Sequence, residues 1–207
     1  PVEIKEYYIS HLFFDANVDI LTPQNNKKLD QLANLLLIYP KITAELSCFE
    51  LPTGQKTFNL YFSIKKTEKA AEYLAGKGIP RSRLLLKGYG SSFPLVAKPV
   101  SNNISPLYQK LNQRLEIALH DYESEPVIID IEGIKVPENL QDPKGVKFST
   151  LSNQLFYSVQ IASISQILQN QAIESVEELF IEVENSSGNY LYMAGMIPTF
   201  KEAEKLM

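Results

Sequence analysis

The sequence has little of the chemistry that metal proteins and redox proteins need. Only one cysteine, Cys48, and two histidines, His11 and His120, occur among its 207 residues. A single cysteine cannot form an intramolecular disulfide, and no Cys/His group has the spacing of zinc ligands. Cys48 falls in the apolar phase of an alternating segment, so we expect a small buried hydrophobe. The residues therefore indicate no metal site and no cofactor.

Catalytic motifs are also missing. The sequence has no GxSxG elbow, no Walker loop and no GxGxxG turn. The segment Gly88-Tyr89-Gly90 fits a turn that ends a strand better than it fits a phosphate cradle. A pair of carboxylates for acid-base catalysis would leave no signature, because it depends on long-range geometry. Apart from such a carboxylate pair, which the sequence does not reveal, we expect a non-enzymatic protein without catalytic residues.

Long apolar runs and an excess of basic residues are absent too. The richest apolar stretch, 32–39, is shorter than the roughly 20 residues of a membrane-spanning helix and contains Asn34. The formal net charge of -4 provides no general attraction for nucleic acid. There is no signal-peptide pattern, and from the start at Pro1 we expect a mature or trimmed product. We predict neither membrane insertion by this segment nor nucleic-acid binding.

Strand and helix patterns alternate over the first 120 or so residues. Apolar periodicity predicts strands at 9–14, 42–48, 84–87 and 115–119, helices at 22–39 and 62–75, and a loop at 91–106. Thr22 is the predicted N-cap of the first helix, Pro23 its first residue and Pro40 its stop. We predict one domain at 1–122, an α/β (α+β) βαβαβ sandwich with the helices on one face of the sheet.

The remaining residues predict a linker and a smaller α+β domain. Segments 127–131 and 134–136 flank Glu132-Gly133, which predicts a small hairpin within a linker at 123–148. The second domain is expected at 149–207. Its predicted elements are strands at 156–161, 179–183 and 190–196, a hairpin loop at 185–189, a Gln- and Ile-rich segment compatible with a helix, and a capped helix from Thr199. That helix is still running at Met207, so we expect an incomplete domain.

A set of short motifs follows one another in a family-specific order. They are Phe14-Asp15, Leu29-Asp30-Gln31-Leu32-Ala33, Tyr39-Pro40, Gly78-Ile79-Pro80, Arg83-Leu84, Gly88-Tyr89-Gly90, Pro94 and Asn112-Gln113-Arg114-Leu115-Glu116. From about Ile9 to Leu119 the chain resembles the OmpA-like C-terminal domain of Gram-negative outer-membrane and peptidoglycan-associated proteins. The resemblance implies that fold, a periplasmic location associated with the outer membrane, and peptidoglycan as a partner.

The resemblance also implies a ligand site. In the family, an Asp and an Arg hold the diaminopimelate of the peptidoglycan stem peptide. The family pattern Asn-x-x-Leu-Ser-x-x-Arg-Ala corresponds to residues 59–67, which places Lys66 at the arginine, and the family aspartate falls on Leu51. The implied ligand-binding residues are Lys66, Glu50 as a replacement acid, Asn59, Ser63 and Arg114.

The departure at Leu51 points to a degenerate site. A leucine accepts no hydrogen bond from an ammonium group, and a charge-assisted bond contributes about 1.5–3 kcal/mol. Lys66 keeps the positive charge but lacks the planar fork of arginine. We therefore expect Lys66 to face no acidic partner, in a module that scaffolds an outer-membrane or secretion-associated complex.

Other interpretations of the same residues stay open. Glu50 and Lys66 could form a genuine peptidoglycan-binding anchor. Lys65, Lys66 and Lys69 could instead be the solvated face of a helix. In the third alternative, Phe49 and Leu51 form an apolar patch that binds an envelope protein.

The last 60 residues resemble SPOR-type domains. The motif Tyr157-Ser158-Val159-Gln160-Ile161-Ala162 matches their opening strand, and Tyr190-Leu191-Tyr192-Met193-Ala194-Gly195, Pro198 and Glu202-Ala203 follow in order. The resemblance implies binding of glycan strands stripped of stem peptides. The final helix and strand of the pattern are not found in this sequence, which argues against glycan binding.

Overall fold

The computed structural model describes residues 4–14, 20–52, 54–96, 105–140, 156–168 and 173–205. Its strands are β1 (Lys5–Ile9), β2 (Leu12–Phe13), β3 (Thr43–Phe49), β4 (Leu84–Gly90), β5 (Arg114–His120), β6 (Val127–Ile131), β7 (Tyr157–Ile164), β8 (Leu179–Val183) and β9 (Tyr190–Ile197). Its helices are α1 (Pro23–Ile38), α2 (Lys56–Gly76), α3 (Pro106–Asn112) and α4 (Phe200–Glu204). The molecule is therefore an α+β protein, and the predicted fold class is confirmed.

Helix α1 begins and ends where local sequence signals place it. The Thr22 hydroxyl accepts a hydrogen bond from the Asn25 backbone N–H at 3.2 Å, and Pro23 occupies the first turn. At the other end, the Arg83 guanidinium donates to the carbonyls of Leu36 and Tyr39, each at 2.8 Å. These bonds satisfy carbonyls that lack partners within the helix.

Seven strands form one mixed sheet in the order β2-β5-β3-β4-β8-β9-β7. Strands β3 and β4 are parallel, whereas β3 and β5 are antiparallel. The parallel β3–β4 pair requires a crossover, and α2 provides it. This arrangement brings the end of β3, the N-terminal half of α2 and the start of β5 close together.

The main core lies between the sheet and helices α1 and α2. Apolar residues at helical spacing supply one side, and the alternating residues of the strands supply the other. The fully buried members include Leu29, Leu32 and Leu36 of α1, Leu60, Ile64 and Leu74 of α2, and Ala44, Leu46, Leu84 and Leu86 of the strands. Each large aliphatic side chain buried in this way contributes about 1.5–3 kcal/mol.

The predicted hairpin at 127–136 is wrong. Strand β6 pairs in parallel with β1 in a separate two-stranded sheet, with Lys5 opposite Val127 and Ile9 opposite Ile131, and residues 134–136 lie outside any strand. Alternate residues of β6 pack against the main core. The backbone of β6 needs a partner strand beside the same core, and β1, which contributes Ile9 to that core, provides it.

The C-terminal strands extend the same sheet. The predicted hairpin of β8 and β9 is confirmed, and β8 pairs antiparallel with β4 through Lys87↔Glu182 and Gly88↔Ile181. Strands of the first 122 residues and of 156–205 thus belong to one sheet, while the domain division at 149 stays a prediction. The predicted start at Ser149 and part of the Gln- and Ile-rich segment lie outside the described residues.

Several element boundaries differ from the expectation, and three of the differences affect the first 122 residues most. The predicted strand at 9–14 is split between β1 and β2, and α2 begins at Lys56 rather than near 62. Helix α3 lies where only a connection between a loop and a strand was expected. Its start does carry a local signal, because Ser105 is its N-cap and Pro106 its first residue. Ser105-Pro106 is the same kind of signal as Thr22-Pro23, but a seven-residue helix has too little periodicity to stand out.

Candidate functional site

Three elements bring Glu50 and Lys66 together. Glu50 directly follows β3, and its backbone N–H donates to the Gly90 carbonyl at 2.7 Å. Lys66 lies on the inner face of α2, and Gln113 immediately precedes β5. Helix α2 can approach β4 closely because Gly88 has no side chain: a Cβ there would lie 2.7 Å from the Ser63 hydroxyl and 2.8 Å from the Ile64 nitrogen.

Lys66 and Glu50 form a buried ion pair. The Lys66 Nζ and Glu50 Oε1 atoms are 2.5 Å apart, and the side chains are 0% and 3% exposed. The Gln113 amide donates to Glu50 Oε2 at 3.4 Å, and the Lys66 ammonium lies 5.1 Å from the centroid of the Phe14 ring. The expectation that Lys66 faces no acidic partner was wrong.

Burial governs the electrostatics of this pair. It raises the pKa of Glu50 above its usual value, while the Lys66 ammonium and the Gln113 amide favour the carboxylate and limit the rise. A buried charge pair of this kind is stable only while both partners stay in place, because either charge alone would be poorly solvated. The pair is therefore an internal structural interaction as well as a candidate ligand site.

The other predicted site residues bond to neighbouring protein groups. The Asn59 amide donates to the Ser91 hydroxyl at 3.1 Å. The Ser63 hydroxyl donates to the Leu60 carbonyl at 2.8 Å and accepts from the Gly90 N–H at 3.0 Å.

Arg114 is likewise committed to internal contacts. Its guanidinium donates to Glu116 at 2.6 Å and stacks 4.0 Å from the centroid of the Phe49 ring. Of the five predicted residues, Glu50 and Lys66 are joined by a direct bond.

The predicted apolar patch is not at the surface. Phe49 is 1% exposed and stacks on Tyr89, with 5.0 Å between ring centroids. Leu51 is 2% exposed and lies in a small cluster with Val96, Tyr108 and Leu111. The patch interpretation was wrong because Tyr89 of β4 and Arg114 of β5 cover Phe49, whereas Val96 and helix α3 cover Leu51.

The three lysines of α2 do not share a solvated face. Lys69 is exposed and pairs with Glu72 at 3.1 Å, and half-buried Lys65 pairs with Glu68 at 2.7 Å. Lys66 points inward and is fully buried. The solvated-face interpretation was therefore wrong for Lys66, and its position next to the core follows from the 100° turn between successive helical residues.

Two residues that sequence reasoning missed contribute to the site and its support. Gln113 was not predicted as a site residue, although this polar residue between Asn112 and Arg114 in the motif 112–116 could have indicated one. Glu174 caps α2 from 117 residues away: its carboxylate accepts from the backbone N–H groups of Lys56 and Thr57 at 2.8 and 3.0 Å. No local pattern predicts a cap at that distance.

A cavity of about 550 Å³ lies next to the buried pair. Its walls include Phe13, Phe14, Lys28 of α1, Lys110 of α3, Gln113 and Glu132, and we call it the α1–α3 cavity. Phe14 and Gln113 line it on one side and contact the Lys66–Glu50 pair on the other. These two side chains thus separate the pair from the cavity.

Within the described ranges, no group of three or more His, Cys, Asp or Glu side chains is arranged to hold a metal ion. Among the helices of those ranges, none combines the length and apolarity that a membrane crossing needs.

The chain is similar to outer-membrane proteins over about half of its length. Outer membrane protein A of Yersinia pseudotuberculosis is 30% identical over 130 residues, which are 59% of this chain and 36% of that protein. Outer membrane porin F of Pseudomonas fluorescens is 24% identical over 106 residues, 51% of this chain and 31% of that protein. The chain therefore spans about a third of the length of these relatives, and the matches support the expected OmpA-like domain. No family model matches the chain.

Two solved structures are also similar to part of the chain. The peptidoglycan-associated lipoprotein of Burkholderia pseudomallei has a TM-score of 0.44 and 19% identity, and the match covers 53% of this chain and 88% of that chain. The C-terminal domain of Helicobacter pylori MotB has a TM-score of 0.45 and 19% identity, covering 54% and 84%. The resemblance of 156–205 to SPOR-type domains stays a prediction.

Proposed function

We propose that the chain is a non-enzymatic cell-envelope module of OmpA-like type whose peptidoglycan site is closed by the Lys66–Glu50 ion pair. The similarity to outer membrane protein A and porin F supports the envelope assignment and a periplasmic, outer-membrane-associated location. The observation that carries the closed site is the 2.5 Å contact between two side chains that are 0% and 3% exposed.

Energetics favour the closed state over a bound zwitterion. A ligand that engaged both residues would have to separate them, and separating a buried pair costs about 3–5 kcal/mol. In return the ligand would gain two charge-assisted hydrogen bonds of about 1.5–3 kcal/mol each. The cost of separating the pair and the gain from the new hydrogen bonds nearly cancel. Immobilising the ligand adds a further cost. Peptidoglycan binding through this pair is therefore weak.

A module with a closed ligand site can still hold an assembly together. Apolar side chains remain exposed at several separate places, among them Phe58 at 56%, Ile128 at 52% and Phe200 at 58%. These are the kind of side chains that protein partners cover. Scaffolding of an outer-membrane or secretion-associated complex is thus the role that we assign to the module.

Sedimentation with isolated peptidoglycan sacculi tests the closed site. We expect wild type and the double variant Lys66→Met/Glu50→Gln to sediment with sacculi to the same small extent. The matched control is Lys69→Met/Glu72→Gln, which removes an exposed ion pair from the same helix. Strong sedimentation of wild type and of the control, lost in the Lys66/Glu50 variant, would reject the proposal.

Authentic peptidoglycan anchoring is the second candidate, and one observation favours it. The carboxylate of Glu50 supplies an acid next to the cation, as the ligand of the OmpA-like family would require. In that case calorimetry with a diaminopimelate-containing stem peptide gives a Kd of about 10 μM or tighter, and Glu50→Gln weakens it about tenfold or more. Absence of heat at millimolar peptide rules this candidate out.

The C-terminal segment has a structural role in the proposed function. We assign 149–207 to a SPOR-like unit whose strands β7, β8 and β9 extend the OmpA-like sheet, rather than to a separate glycan-binding domain. Its support is the pairing of β8 with β4 and the stacking of Phe180 on Tyr89, with 5.0 Å between ring centroids. The test is retention of the protein on glycan strands that lack stem peptides. Retention that is lost in an Ile161→Lys variant of β7 would contradict this role.

A further inference from the structure

The α1–α3 cavity has an unbalanced set of charges. Among the described residues that line it, Lys28 and Lys110 carry ammonium groups and Glu132 carries a carboxylate. Both ammonium groups lie beside the same aromatic ring, 5.4 and 5.1 Å from the centroid of Phe13. The described part of the walls therefore carries one net positive charge next to an apolar surface.

The position of Lys28 is fixed by the fold. Its ammonium group donates to the His11 carbonyl at 2.6 Å, which holds the side chain across the cavity wall. Partial burial lowers the pKa of Lys28, and the nearby charge of Lys110 lowers it further, while Glu132 acts in the opposite direction. Two like charges held this close repel each other, so an anion between them would relieve the repulsion.

The polar lining suits a ligand of defined chemistry. The Lys28 ammonium keeps two hydrogen-bond donors besides the one bonded to His11, the Lys110 ammonium has three, and the amides of Gln24 and Gln109 add donors and acceptors to the same walls. The volume of about 550 Å³ is within the range of small-molecule sites. A carboxylate carries one negative charge, which matches the net charge of the walls. A doubly charged phosphate would leave an excess negative charge facing Glu132.

We propose that the α1–α3 cavity is a binding site for a carboxylate group, held by Lys28 and Lys110 and packed against Phe13. The ligand is the end of a peptide chain or a sugar acid, which share this group. The site goes beyond the proposed function and does not rest on it, because it uses α1 and α3 rather than the Lys66–Glu50 pair. Its failure would leave the sedimentation result unchanged.

NMR titration of the intact chain with two carboxylate probes tests this site. The probes are N-acetyl-alanyl-alanine for a peptide end and glucuronate for a sugar acid, each compared with its uncharged counterpart, N-acetyl-alanyl-alaninamide or methyl glucoside. We expect at least one carboxylate probe to give saturable shifts of the amides of Phe13, Gln109 and Gln113. The probe that saturates at lower concentration identifies the source.

Charge-matched variants separate specific binding from general attraction. Lys110 is exposed, so Lys110→Gln preserves the fold, and loss of one charge-assisted contact should weaken binding about tenfold or more. Lys27→Gln removes the same charge from α1 outside the cavity and should change the affinity less than about twofold. The proposal is overturned if no probe saturates, if the uncharged counterparts bind equally well, or if both variants weaken binding alike.

Discussion

At the scale of single residues, the buried pair shows how little of a side chain's environment its residue type reveals. Lys65, Lys66 and Lys69 are the same residue type on one helix, yet they are half-buried, fully buried and exposed. The identity of Lys66 as the counterpart of a family arginine was readable from sequence. The sequence offered Glu50, 16 residues away, as an acid in the same site, but it did not predict their direct buried contact, because that contact depends on how α2 packs against the end of β3.

Removal of one partner should be more harmful than removal of both. Lys66→Met leaves the buried Glu50 carboxylate without this ammonium group, and we expect the free energy of unfolding to fall by about 3–5 kcal/mol. Lys66→Met combined with Glu50→Gln should recover much of that loss, because no unpaired charge remains. Urea denaturation measures both. In the control Lys69→Met, the expected change is below about 0.5 kcal/mol, and an equal loss there would contradict the argument.

His11 should make stability depend on pH. Its Nδ1 accepts a hydrogen bond from the Ile117 N–H at 3.1 Å, so a proton on that atom would break the bond. Burial lowers the pKa of His11 below 6.5, against the opposing effect of Glu116 and Glu132, with Arg114 lowering it further. The unfolded chain then takes up the proton first as the pH falls below 6.5, which destabilises the folded state until the pH reaches the folded pKa.

A variant isolates this contribution from other titrating groups. His11→Gln keeps an acceptor and a donor but does not titrate in this range. Between about pH 7.5 and about pH 5.5, wild type should lose more stability than His11→Gln, measured by urea unfolding at each pH. Equal losses in the two proteins would show that His11 is not the origin of the pH dependence.

At the scale of secondary-structure elements, capping and proline signals predicted the ends of α1 correctly, whereas pairings between distant strands left no local signal. Thr22, Pro23 and Pro40 fixed the ends of α1 in advance, since capping and proline effects act within one helical turn. The pairing of β6 with β1 joins segments about 120 residues apart, and the turn-like Glu132-Gly133 suggested a hairpin instead. Only tertiary packing decides which partner such a strand adopts.

Helix α2 should lose its N-terminal order when its distant cap is removed. Gln55, the N-cap residue, makes no capping bond with its own side chain, and Glu174 supplies one from the C-terminal segment. We expect Glu174→Gln to increase hydrogen exchange at the amides of Lys56 and Thr57, because a neutral amide is a weaker acceptor than a carboxylate. Glu177→Gln, an exposed neighbour, is the control, and identical exchange in the two variants would refute the role of Glu174.

At the scale of the whole molecule, the two sequence-defined segments are physically joined. Phe180 is 1% exposed and stacks on Tyr89, within a cluster that also contains Phe49 and Phe93. The sequence predicted two domains, at 1–122 and 149–207. The shared cluster arises from aromatic residues distributed over both segments, and no local pattern indicates that they meet.

A core substitution in the C-terminal segment should therefore destabilise the N-terminal one. Truncation of a buried phenylalanine costs about 3–5 kcal/mol, so Phe180→Ala should lower the urea midpoint of the entire protein. We expect one transition, followed equally by tyrosine fluorescence and by protection of β3 amides against hydrogen exchange. Phe200→Ala, at an exposed site, should leave the midpoint nearly unchanged. Separate transitions for the two segments would favour independent domains.

The short pairing between β4 and β8 determines which part of the molecule unfolds first under mechanical force. Two residue pairs join these strands, whereas five join β8 to β9 and six join β3 to β4. A force that pulls the two ends of the chain apart acts across this narrow seam. Stretching of single molecules should therefore release the last three strands as the first rupture step, with the rest of the sheet still folded. In the proposed cell-envelope role, the protein would extend under tension while β2, β5, β3 and β4 stay paired.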